Sequence, residues 1–173
     1  MKRSRKKYKT PIKAWDKQRI ESEREIVKEY GLKNKKEIWV SEGILRKFRR
    51  MARKCAAKKD KETEKVIVKK MVRLGLLEEG AGLDDMLGLT LASILGRRLQ
   101  TIIFKRGFAN SMKQARQLIV HRHVTVGERR TTYPSYMVSR EDENNLAVDI
   151  VPQKKKTAAA TQLPQGKGEE KSG

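Results

Sequence analysis

The sequence predicts an α+β protein: a helical N-terminal region followed by a helix–helix–small β-sheet module. Two observations carry this. Apolar residues recur at helical spacing, punctuated by glycines, from Trp15 through Ile119. At His123 the period then changes from 3.6 to 2, with Val124 and Val126 on one side and His123 and Thr125 on the other. The expected organisation is a basic arm (1–14), a helical domain (15–96), the module (97–151) and a tail (152–173).

Residues 1–13, MKRSRKKYKTPIK, carry too little apolar surface to offset their ordering entropy. They are expected to be disordered alone and to order along phosphates. Trp15 to Tyr30 reads as a helix of alternating charge ending at Gly31, with Ile20, Ile26 and Val27 inward. Ser41 to Lys59 reads as a second helix, because Ile44, Phe48, Met51, Ala52 and Cys55 share one face. Arg46, Lys47, Arg49, Arg50, Arg53 and Lys54 cover the remainder. These cations repel one another with no acid after Glu42, which favours an anion-facing surface, and guanidinium pairs bidentately with phosphate. Asp60 to Leu77 reads as a third helix, with Ile67, Met71 and Leu74 inward and Gly75 as its stop. The turn Glu78–Gly82 lacks the lysine and hydroxyl of a phosphate loop. Leu83 to Leu95 reads as one short helix, with Asp84 and Asp85 favouring its dipole.

The module opens with Leu95, Leu99, Ile102 and Ile103 on a helical face and Arg97, Arg98, Lys105 and Arg106 elsewhere; Gly107 stops it. Ser111 to Gln114 reads as a capping box, with Ser111 accepting a first-turn amide and Gln114 reaching back to the cap. Met112, Ala115 and Ile119 then face inward, leaving Lys113, Arg116 and Gln117 outside. After a turn at Gly127-Glu128, Thr131 to Tyr133 reads as a strand. Ser139 to Asn145 is a polar turn, Leu146 to Val151 a last strand, and QKKKTAAATQLPQGKGEEKSG a low-complexity, disordered tail.

The formal charge is +21, with net +14 in residues 1–60 and +8 in residues 97–130, and the other segments are close to neutral. So uneven a balance argues for a polyanionic partner. Cys55, the sole cysteine, excludes an internal disulfide and a multi-cysteine zinc site, and its place on the apolar face makes it a core thiol. No apolar run approaches the roughly 20 residues of a membrane span, and nothing resembles a signal peptide. A soluble, intracellular location is the default. No nucleophile has a positioned base and orienting group, so no enzyme is expected. His121 and His123 would share a face within a strand, but a third ligand is not evident; base stacking, phosphate contact and plain packing stay open. Neither metal nor cofactor is expected.

The candidate RNA-binding residues follow from these faces. On the second helix they are Arg46, Arg49, Arg50, Arg53 and Lys54. In the module they are Arg97, Arg98, Lys105 and Arg106, then Ser111, Lys113, Gln114, Arg116 and Gln117 at a helix N-terminus that offers free amides to phosphate. His121, Arg122 and His123 lie at the corner, Arg129 and Arg130 on the turn, and Tyr136 is the best aromatic candidate. With aromatic content at 5%, rows of stacked bases are disfavoured. A folded junction read by shape and phosphates is the expected target.

ARQLIVHRHVTV (Ala115 to Val126) and PSYMV (Pro134 to Val138) closely resemble the RNA-binding module of the S-four (S4) family of small-subunit ribosomal proteins. KYKTPIKAWDKQRIESEREIVKEYGLKNKKEIW and LGLTLASILGRRLQTIIFKRG resemble its archaeal branch, so the resemblance spans roughly residues 5–151. Many members carry glycine between the two histidines; Arg122 stands there, which bears on the turn and adds charge. The N-terminal cysteine cluster of many bacterial members is absent. The resemblance implies a non-catalytic constituent of the small ribosomal subunit that binds its ribosomal RNA directly. It further implies that the protein nucleates assembly of the 5′ region and helps shape the region where messenger RNA enters and is decoded. The implied neighbours include the fifth small-subunit protein, the location is the cytoplasmic ribosome, and no homo-oligomer is implied. The alternative is a stand-alone RNA-binding regulatory or ribosome-associated factor, against which the long basic N-terminus argues.

Overall fold

The computed structural model describes residues 6, 8–58 and 61–149. In chain order come α1 (Lys17–Glu29), α2 (Lys35–Lys58), α3 (Lys61–Arg73), α4 (Leu83–Gly88), α5 (Leu91–Gly96), α6 (Leu99–Lys105), α7 (Met112–Val120), β1 (Val124–Val126), β2 (Arg129–Arg130), α8 (Arg140–Asn144) and β3 (Leu146–Val148). This is the expected α+β class. The sheet is antiparallel in the order β2-β1-β3, with Val126 opposite Arg129 on one side and Leu146 on the other.

Three apolar clusters hold the helices. Leu45, Phe48, Ala52, Met71, Met86 and Ile94 bury the inner faces of α2 to α5. Leu32, Ile38 and Leu95 tie the α1–α2 connection to α5. Leu99, Ile103, Ala115, Ile119, Val124 and Val138 form the core of the module. Burying one such side chain fully is worth about 1.5–3 kcal/mol, so Ile103 and Ile119, with no exposed surface, fix α6 on α7. Cys55 is buried on the inner face of α2.

Several boundaries differ from those the sequence suggests. α2 begins at Lys35 rather than Ser41, because Ile38 and Ser41 extend its buried face backwards and the Ser41 hydroxyl donates to the Glu37 carbonyl (2.9 Å). α1 starts at Lys17, leaving Trp15 exposed. α3 stops at Arg73, before Gly75 at φ +66°. The single helix expected over Leu83–Leu95 is two, broken at Leu89-Thr90, where the Thr90 hydroxyl caps α5 by accepting from the Ser93 amide. Arg98 is extended and precedes α6, so Leu95 and Leu99 belong to different helices. β2 is Arg129–Arg130 rather than Thr131–Tyr133. The expected turn at Ser139–Asn145 contains α8, whose cap Ser139 accepts from the Asp142 amide (3.0 Å). Part of the basic arm is seated rather than free: Tyr8 lies against Trp39 (ring centroids 5.9 Å apart), and Arg19 donates to the carbonyls of Lys13 and Ala14. The arm before Lys6, the ends of the second and third helices at 59 and 60, the strand end at 150–151 and the tail lie outside the described residues.

Candidate nucleic-acid interface

The corner between α7 and β1 is built by a reversed helix end. His121 caps α7, Arg122 takes φ +65°, and the amides of Arg122 and His123 return to the carbonyls of Ile119 (3.0 Å) and Leu118 (3.1 Å). This 5→2 and 6→1 pairing needs a left-handed residue, ordinarily glycine. Arg122 adopts that conformation and stays exposed. His121 and His123 flank it outside the strand, their rings stacked with centroids 6.4 Å apart. At the other end of α7, the Ser111 hydroxyl accepts from the Gln114 amide (3.2 Å). The Gln114 side chain accepts from the Asn110 amide (2.9 Å), one residue before the expected cap.

Three arginines in the expected RNA-facing set are directed elsewhere. The Arg97 guanidinium donates to the carbonyls of Leu74 and Val138 (both 2.9 Å) and to Glu143 (2.7 Å), tying α3, the 134–138 segment and α8 together. Arg98, whose side chain is 5% exposed, pairs with Glu37. Its guanidinium is held in the interior toward Glu37 rather than on an exposed face. Arg116 takes the same carboxylate from the other side, at 2.9 and 3.3 Å. Burial works to raise the Glu37 carboxyl, but hydrogen bonds and charge from Arg116 and Arg98 outweigh it and hold it below the ordinary carboxylate range. Beside this triad, the buried Gln100 side chain donates to the carbonyls of Tyr30, Gly31 and Met112. α1, α2, α6 and α7 therefore meet at one polar joint.

Glu23 makes a second such joint. Burial pushes its carboxyl up, but the Trp39 N–H, Lys35 and Arg19 hold it below the ordinary range. Tyr136 remains at the surface while its hydroxyl donates to Asp142 (3.1 Å); burial and then that contact raise the phenol.

Of the remaining candidate cations, all but Arg49 face outward. Lys105, Arg106, Lys113, Arg122, Arg129 and Arg130 are exposed around the module, as is Gln117. Arg106 and Arg130 each have a loose acidic neighbour, Glu143 at 3.7 Å and Asp149 at 3.5 Å. On α2, Arg46, Arg50, Arg53 and Lys54 are exposed, whereas Arg49 is half-buried and donates to the Leu89 carbonyl (2.7 Å). Arg46, Lys47, Arg50 and Arg53 line a groove of about 380 Å³ with Lys6, Tyr8 and Lys9 of the arm. The arm and α2 thus make one cationic track. Among the described residues, no three His, Cys, Asp or Glu side chains gather as metal ligands, and no helix is long and apolar enough to cross a membrane.

Sequence reasoning missed Glu37, Gln100 and Gly31. No spacing signals a carboxylate whose partners lie 61 and 79 positions away. Gly31 was legible as a helix stop, but not as the point where a Cβ would come within 2.7 Å of the Met112 Cβ.

Comparison with known proteins matches residues 97–144 to the S4 domain. The chain is 48% identical over 147 residues to the small ribosomal subunit protein uS4 of Saccharolobus islandicus strain L.S.2.15, and equally so to those of strains M.14.25 and Y.G.57.14. Each alignment covers 83% of this chain and 81% of the relative.

Proposed function

Because the chain belongs to the uS4 family of small ribosomal subunit proteins, we propose that it binds folded ribosomal RNA through two cationic surfaces held rigidly by the Glu37 joint. It is a non-catalytic small-subunit ribosomal protein acting in translation on the ribosome. Its finer role is to bind the 5′ region of the small-subunit RNA early, to help shape the path where messenger RNA enters and is decoded, and to touch the fifth small-subunit protein. It acts as a single copy. The observation that carries this reading is the division of labour among its arginines. Arg97, Arg98 and Arg116 lock the module onto the helical region, while Arg122, Arg129 and Arg130 stand exposed on the module and Arg46, Arg50 and Arg53 stand exposed on α2. A rigid pair of cationic faces suits the shape and phosphate recognition by which structured RNA is read. Sedimentation in high salt tests the role: the protein should remain on the small subunit. Complete release would favour a detachable factor.

A further inference from the structure

We propose that the cleft between α2 and the 134–138 segment receives one unpaired RNA base, with the adjoining phosphates held by Lys36 and Lys47; this rests on the RNA-binding reading above. The cleft encloses about 750 Å³, within the range of small-ligand sites and ample for a nucleotide. Its walls include the apolar Val40, Ile44, Ile94 and Met137, and the exposed Lys36, Lys47 and Ser135 also line it.

The inner side is polar in a particular way. Arg98 lines it, donates through Nη2 to Glu37, and has two further nitrogens, Nε and Nη1, buried with no partner among the described residues. Such donors are costly unless met by an acceptor. Glu37 lines the same cleft, with both of its oxygens taken by Arg98 and Arg116. A neutral heterocycle with carbonyl or ring-nitrogen acceptors suits this lining: apolar walls for its faces, the unmet Arg98 donors on the inner side, and lysines for the phosphates outside.

Continuity with the neighbouring track points the same way. Gly43 and Lys47 line both this cleft and the groove containing Arg46, Arg50 and Arg53. A backbone following that groove reaches the mouth of the cleft at Lys47. Unpaired RNA is recognised in this manner, with the chain held by charge and a splayed base taken into a site of its own.

Ser135→Trp fills the mouth from an exposed loop position, and Ser135→Ala is its control. Both, together with the unaltered protein, would be titrated against the 5′ portion of an archaeal small-subunit ribosomal RNA with transfer RNA as competitor. Dimethyl sulfate and carbodiimide would probe the base edges, and thermal melts would verify equal folding. Ser135→Trp should weaken binding roughly tenfold or more, the scale of a single base held against a side chain. It should leave the salt slope unchanged, since no charge is altered, and re-expose one unpaired base that the unaltered protein protects. Equal affinity and equal protection for Ser135→Trp would overturn the cleft assignment while leaving the broader reading intact. Failure of the unaltered protein to resist the competitor would instead overturn the broader reading.

Discussion

Glu37→Ala removes the one carboxylate shared by Arg98 and Arg116. The Arg98 side chain is 5% exposed and Glu37 19%, so loss of the carboxylate strands a buried guanidinium. Breaking a buried pair by deleting one partner costs about 3–5 kcal/mol. Arg116, at 24% side-chain exposure, can rehydrate, which places the expected loss at the lower end, about 3 kcal/mol. For a chain of this size that lowers Tm by about 6–12 °C, readable by circular dichroism. The pH dependence has a fixed sign. Glu37 is held below its ordinary range in the folded state, so its contribution is fully present above the unfolded carboxylate pKa and is lost as pH falls through the depressed one. The unaltered protein should therefore lose stability over that acidic window more steeply than Glu37→Ala. The double variant Glu37→Leu/Arg98→Met removes both charges and should melt within about 1 kcal/mol of the unaltered protein. A Tm change below about 2 °C for Glu37→Ala would refute the joint as a structural element.

Other positions give independent tests. Gly31→Ala places a Cβ 2.7 Å from the Met112 Cβ at a φ of +56°, so chemical denaturation should show a loss of about 2–3 kcal/mol. Arg122→Gly relieves a left-handed arginine and should raise stability by about 1 kcal/mol, while lowering RNA affinity in a filter-binding assay. Neutralising Lys105, Arg106, Arg129 and Arg130 should reduce the slope of log affinity against log salt by about 0.7–0.9 for each phosphate left without its cation. Neutralising Arg97, Arg98 and Arg116 should lower Tm before it changes that slope.

Local chemistry made much of the fold legible. Gly31, Gly75 and Gly107 end helices where the sequence says they should, each at positive φ, and the change of period at His123 marks the start of the sheet. The break at Leu89-Thr90 was not legible, since Leu87, Leu89 and Leu91 continue one apolar run across it and Thr90 caps only once its backbone is extended. The same limit governs the arginines. Arg97-Arg98 and Arg129-Arg130 are identical dipeptides, and what separates a joint from an exposed cationic face is the enclosing Glu37 and Glu143 around the first pair, against exposed positions with only a loose contact to Asp149 for the second. Those acids arrive through tertiary structure. Arg122 was legible as a departure from glycine, but only the pairing at the end of α7 explains why that position tests the backbone.

The most direct measurement is competition binding of the purified protein to the 5′ portion of an archaeal small-subunit ribosomal RNA, with excess transfer RNA at physiological salt. Affinity that survives the competitor is the predicted result, because two rigidly placed cationic faces select a folded shape. Affinity abolished by transfer RNA would contradict the account, leaving charge without recognition.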